Sequence, residues 1–85
     1  MSVRQYRKKP IVINAVQFTD NADEIVDWAE GAISKAEYPA VLKIETLEGN
    51  VLAHVGDWVI KGIGEEFYPC APDIFEATYE RVAGR

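Results

Sequence analysis

The first strongly apolar run of the chain is Ile11-Val12-Ile13-Asn14-Ala15-Val16-Gln17-Phe18. Its β-branched content predicts a buried strand, and Pro10 stands ahead of it, where a missing N–H costs little. Thr19, Asp20 and Asn21 interrupt the run, and the apolar period then lengthens. Ile25, Trp28, Ala29 and Ala32 recur at helical spacing, and Asn21 with Glu24 fits a capping box. Gly31 suits the left-handed position past a helix end, so the spacing predicts a helix from Ala22 to Glu30. Residues 32–39 have no clear period; Ile33 and Tyr38 can anchor a short irregular strand that stops at Pro39.

The middle of the chain alternates like two hairpins. Val41 to Leu47 and Val51 to Val55 flank Glu48-Gly49-Asn50. With Glu48-Gly49 as a two-residue loop, Ile44 faces Ala53, Leu42 faces Val55, Thr46 faces Val51, and His54 stands outward opposite Lys43. A slip of one residue would put Lys43 and Glu45 among the apolar set. Asp57 to Gly62 and Glu65 to Pro69 form the second hairpin across Ile63-Gly64, in a type II turn with Gly64 at its third position. Ile60 then faces Phe67 inside and Lys61 faces Glu66 outside. Pro72 at the first helical position, or Asp73 capping with Glu76, opens a final helix with the stripe Ile74, Phe75, Thr78, Tyr79 and Val82, ended by Gly84. The pattern describes an α+β domain spanning residues 1–85 in the order β-α-β-β-β-β-α. Its mainly antiparallel sheet is made of two hairpins and an N-terminal strand, with both helices on one face.

Three segments stand out together. The first is Tyr6-Arg7-Lys8-Lys9-Pro10-Ile11-Val12 with Ala15-Val16-Gln17-Phe18, and the second is Ile44-Glu45-Thr46-Leu47-Glu48-Gly49. The third is Gly56-Asp57-Trp58-Val59-Ile60-Lys61-Gly62 followed by Glu66-Phe67-Tyr68-Pro69-Cys70 and Pro72-Asp73-Ile74-Phe75. Together they resemble a family of small uncharacterised bacteriophage and prophage proteins, whose pattern has proline where Val55 stands, Lys-Gly at Gly64-Glu65, and lysine at Ala71. The last two departures each remove a cation beside the aromatic segment. The resemblance implies a viral or prophage protein acting in the cytoplasm of a bacterial host, and it carries over no catalytic residue.

Charge sharpens this picture. Arg4, Arg7, Lys8 and Lys9 put four of the nine cationic residues into a basic arm, residues 1–9. The remainder holds five cations against 14 carboxylates, a local balance of −9, within a chain of net charge −5. An acidic body repels phosphate backbones, so nucleic acid is disfavoured as a partner, and the arm reads as solvated and paired with the protein's own acidic surface. No apolar run approaches the roughly 18 residues that cross a bilayer, and no signal-peptide pattern follows the basic start, which points away from membranes. A single cysteine closes no internal disulfide, in keeping with a reducing compartment.

The chemistry available is sparse. Cys70 and His54 are the only thiol and imidazole. Cys70 reads as a buried small hydrophobe at a strand-to-helix turn, although a helix N-terminus there would lower its pKa. One Cys and one His fall short of a zinc site. Adjacent Glu65 and Glu66 point to opposite faces of a strand, and Gly62-Ile63-Gly64 lacks the Lys-Ser/Thr pair of a phosphate loop. No cofactor, metal or catalytic group is expected. Trp58, Phe67 and Phe75 fall on inward positions, while Tyr68 falls outward beside Lys61 and Glu66. Tyr68, Lys61, Glu66 and Tyr38 are therefore the candidate interaction surface.

Two function classes follow. One is a non-catalytic accessory protein that binds a host or phage protein. The other is a small-ligand or nucleotide binder, such as a counter-defence sponge, with its site at a subunit interface. Short strands leave open edges, at residues 11–18 or 32–39, so self-association into a homodimer or larger homo-oligomer is also expected.

Overall fold

The structure is a computed structural model and describes residues 3–7, 9–36 and 40–82. Tyr38, Pro39 and Gly84 lie outside the described residues. The elements run β1 (Asn14–Gln17), α1 (Ala22–Ala29), β2 (Ile33–Lys35), β3 (Val41–Thr46), β4 (Gly49–His54), β5 (Trp58–Lys61), β6 (Phe67–Cys70) and α2 (Pro72–Thr78). The α+β class and the antiparallel hairpins are as the pattern predicts.

The strands divide between two antiparallel sheets, β1-β5-β6 and β2-β3-β4, instead of sharing one. The bend at Gly56 and Asp57 is the cause. Phe18 donates its N–H to the Asp57 carbonyl, and Gly56 donates to the Phe18 carbonyl, both at 2.8 Å. Those bonds hand β5 to β1 and take it away from β4. β1 is shorter than the apolar run because Asn14 already pairs with Lys61, the last residue of β5. Ile11 and Val12 thus extend past any partner strand and stay exposed.

The first hairpin keeps its faces but shifts by two residues. Ile44 pairs with Val51, Leu42 with Ala53, and Lys43 with Leu52, across a Leu47-Glu48 turn; His54 pairs with Val41. Gly49, at φ 112°, takes the left-handed conformation just after the turn. The Thr46 hydroxyl fixes that geometry by donating to the Gly49 carbonyl at 2.6 Å and accepting the Glu48 N–H at 3.2 Å. A shift of two preserves side-chain parity, so Leu42, Ile44 and Ala53 are buried while Lys43 and Glu45 are exposed.

The second hairpin slips by one. Lys61 pairs with Phe67 and Ile60 with Tyr68, so Ile60 does not face Phe67 nor Lys61 Glu66. The turn is not the type II form, because Gly64 is not at positive φ; Glu65 is, at φ 65°. Glu65 donates to the Gly62 carbonyl at 2.9 Å and Gly62 to the Glu66 carbonyl at 2.8 Å, which lengthens the loop by one residue. Gly62 and Gly64 leave the space into which the Glu66 carboxylate folds back.

One hydrophobic core lies between the sheets and under α1. It comprises Phe18, Ile25, Ala29, Ile33, Leu42, Ile44, Ala53, Val59 and Phe67. Trp28 meets Phe67 edge-on, with ring centroids 5.1 Å apart. The capping box is not made. Asn21 instead uses its side chain to bind back to the end of β1, accepting from Thr19 N–H at 2.8 Å and donating to the Gln17 carbonyl at 3.0 Å. Glu30 and Gly31 both adopt positive φ past the helix end.

The helices do not share a face. Trp58, Ile60, Tyr68 and Cys70 alternate away from Val59 and Phe67, and α2 lies over that second face of the β1-β5-β6 sheet, with Phe75 stacked on Trp58 at 4.0 Å. The α2 stripe is not core. None of the helix's residues is buried, Ile74 and Val82 are exposed, and Tyr79 is already extended.

Candidate functional site

The second face of the β1-β5-β6 sheet gathers four of the chain's nine aromatic side chains, Trp58, Tyr68, Phe75 and Tyr79, together with its thiol. Trp58 on β5 stacks nearly parallel on Phe75, at an interplanar angle of 5°, and Phe75 meets Tyr79 at 5.0 Å. Trp58 and Phe75, which the pattern placed inward, are half-buried here. α2 arrives over the sheet because Pro72 takes the first helical position immediately after β6 ends at Cys70. The Trp58 Nε1–H is buried without a hydrogen-bond partner among the described residues, a configuration that costs on the order of 1–3 kcal/mol.

Tyr68 is half-buried, not exposed, because α2 covers it. Burial pushes its hydroxyl up to about 12, and a hydrogen bond with Tyr79 together with the charges of Tyr79 and Glu66 adds to the shift. A phenol in that state is a neutral hydrogen-bonding group across the physiological range. Lys61 does not join it. The one-residue slip puts Lys61 on the other face, its Nζ 5.8 Å from the centre of the Phe67 ring, a cation–π contact. Glu66 is exposed at the hairpin mouth. The structure therefore parts Lys61 from Tyr68 but keeps Glu66 near enough for its charge to act on the phenol, and Tyr38 lies outside the described residues.

Cys70 sits opposite Trp58 and is half-buried, not sealed in the core. Burial raises its pKa, and the carboxylates of Asp57 and Asp73 raise it further. The expected lowering by the helix N-terminus is overridden, since α2 brings Asp73 in its own first turn. His54 is exposed, with Nδ1 3.8 Å from the Asp57 carboxylate. Asp57 is the residue that sequence reasoning underrated. It accepts the His54 N–H at 2.9 Å, donates its own N–H to the His54 carbonyl, and stands near both the imidazole and the thiol.

Two shallow clefts flank α1. One, of about 330 Å³, is lined by Asn14, Val16, Asn21, Glu24, Ile25 and Trp28. The other, of about 530 Å³, includes Phe18, Asp20, Lys35 and Val41. Lys35 there is engaged with Asp23 at 2.7 Å. Among the described residues no group of three or more His, Cys, Asp or Glu side chains could hold a metal ion, and no helix is long and apolar enough to cross a membrane. No protein-family model, curated protein or solved structure matches the chain.

Proposed function

We propose that this chain is a bacteriophage or prophage accessory protein that works in the host cytoplasm by binding another protein, without catalysis. One observation carries the reading. The segment of α2 rests on the sheet through Phe75, stacked on Trp58, and through Tyr79, hydrogen-bonded to Tyr68, while Ile74 on the helix and Val82 beyond its end are exposed in a stretch that carries Asp73, Glu76 and Glu80. A segment held through two rings, with exposed apolar residues set between carboxylates, has the composition of a contact surface. The thiol supports the same reading. An attacking cysteine needs its thiolate, and burial with two neighbouring carboxylates favours the neutral form of Cys70. Glu24 and Asp20 in the two clefts disfavour an anionic nucleotide there.

The test is retention of a protein from host lysate on the immobilised chain, compared with variants of unchanged circular dichroism. Ile74→Glu is expected to abolish retention of the captured protein and Cys70→Ala to leave it intact. Loss with Cys70→Ala and full retention with Ile74→Glu would overturn the reading.

A further inference from the structure

Among the described residues the two sheets have four edges, formed by β1, β2, β4 and β6. Three are short or protected: β1 has four residues, β2 has three and ends in the ion-paired Lys35, and β6 has four with Pro69 among them. β4 differs. Gly49-Asn50-Val51-Leu52-Ala53-His54 is six residues long, contains no Lys, Pro, Asp or Glu, and is exposed everywhere except at Ala53. Natural edges are guarded by charge, proline, bulges or shortness, and this one has none of these along its length.

Its hydrogen-bonding groups define what fits there. His54 gives its N–H to the Asp57 carboxylate at 2.9 Å and its carbonyl to the Asp57 N–H at 2.9 Å, so both groups point away from β3. Strand alternation then turns the N–H and C=O of Leu52 and of Asn50 toward the same open edge. The Asp57 contacts close the strand at His54, and the turn closes it at Gly49. What is left is a short edge with two donors and two acceptors, symmetric about Val51.

We propose that this edge pairs with the same edge of a second copy of the chain, antiparallel about a two-fold axis through Val51. Asn50 of each copy then exchanges both backbone bonds with Leu52 of the other, which uses all four free groups on each side. Val51 meets Val51 across the axis on the inner face. The two β2-β3-β4 sheets become one six-stranded sheet with no open β4 edge. Charge selects the occupant as well. Two chains of net charge −5 repel, and β4 is the longest edge whose own residues include no carboxylate, the Asp57 carboxylate standing only at its His54 end. The same register sets the acidic Glu48 of one copy level with His54 of the other. Four backbone bonds and one pair of valines make a small interface, so association belongs to the weak, transient class.

The experiment uses the purified full chain and does not depend on any captured partner. Sedimentation velocity up to about 1 mM is expected to show a concentration-dependent dimer, the range in which weak interfaces populate. Leu52→Lys, at an exposed position that tolerates it, is expected to weaken association at least about tenfold by guarding the edge. Disulfide trapping in a Cys70→Ala background reads the register. Directly paired residues lie roughly 4.5–5.5 Å apart, within disulfide reach, whereas Leu52 and its copy are diagonal at roughly 7–8 Å. Val51→Cys should therefore cross-link on oxidation and Leu52→Cys should not. A monomer at every concentration overturns the proposal and leaves the edge to an extended segment of a foreign protein. A dimer unaffected by Leu52→Lys, or one trapped as readily through Leu52→Cys as through Val51→Cys, overturns it too.

Discussion

The β2-β3-β4 sheet and the C-terminal end of the molecule draw on similar residues and pack them to different depths. In the first, Ile33, Leu42, Ile44 and Ala53 are each sealed between the sheets, with α1 closing the side through Ile25 and Ala29. In the second, Phe75 stacks on Trp58 and Tyr79 meets Phe75, no α2 residue is buried, and Ile74 is left outside. Their two turns differ in the same sense. Both place one residue in the left-handed region after the bend, but β3-β4 uses Gly49 and β5-β6 uses Glu65. One region is resolved toward stability. The other keeps strain, half-buried polar groups and exposed apolar surface, features associated with sites that work by contact.

The same substitution at two isoleucines tests that division most strongly. Ile44→Ala should cost about 2–5 kcal/mol in urea denaturation, through lost burial and the cavity left behind. Ile74→Ala should fall within about 0.5 kcal/mol of the parent, as exposed substitutions do. Equal losses at both would erase the distinction. A smaller effect separates the turns: Glu65→Gly should gain about 0.5–1 kcal/mol by relieving a left-handed non-glycine residue. No gain would show that the loop holds Glu65 there without strain.

The smallest effect is a pH response. The Tyr68 hydroxyl is pushed up from 10.0 to about 12, foremost by burial, so the folded state favours its neutral form. That contribution is complete below pH 10 and is lost as pH rises through about 12. Tyr68→Phe should flatten the fall of Tm over that interval relative to the parent; an unchanged slope would mean the phenol does not titrate against the fold.

Much of the scaffold was legible because strand parity is a strong constraint. Leu42, Ile44 and Ala53 are buried as the alternation demands, whereas Ile60 and Phe67, expected to face each other, are buried on opposite faces of their sheet. Parity is blind to a shift of two, however, and the first hairpin moved by that amount when Thr46 closed its turn. The second hairpin slipped by one because its left-handed residue is a glutamate, which no turn preference marks. That single step carried Lys61 to one face and left Tyr68 on the other, so the expected cluster came apart. The division into two sheets depended on backbone bonds between Phe18 and residues 56 and 57, which residue type does not encode. The pattern found the aromatic residues of the site. Their arrangement followed from how α2 returns across the sheet.

The pairing of β1 with β5 also sets an order in time. β2, β3 and β4 are consecutive and close through short loops, whereas β1 must meet a strand more than 40 residues later, since Asn14 pairs with Lys61. Closing so long a loop costs more chain entropy than closing a hairpin and slows folding. During synthesis from the N-terminus, Asn14–Gln17 cannot find its place until residue 61 has left the ribosome. The chain therefore emerges with its first apolar strand waiting, and the basic arm ahead of it is the charged segment that travels with that strand until the partner arrives.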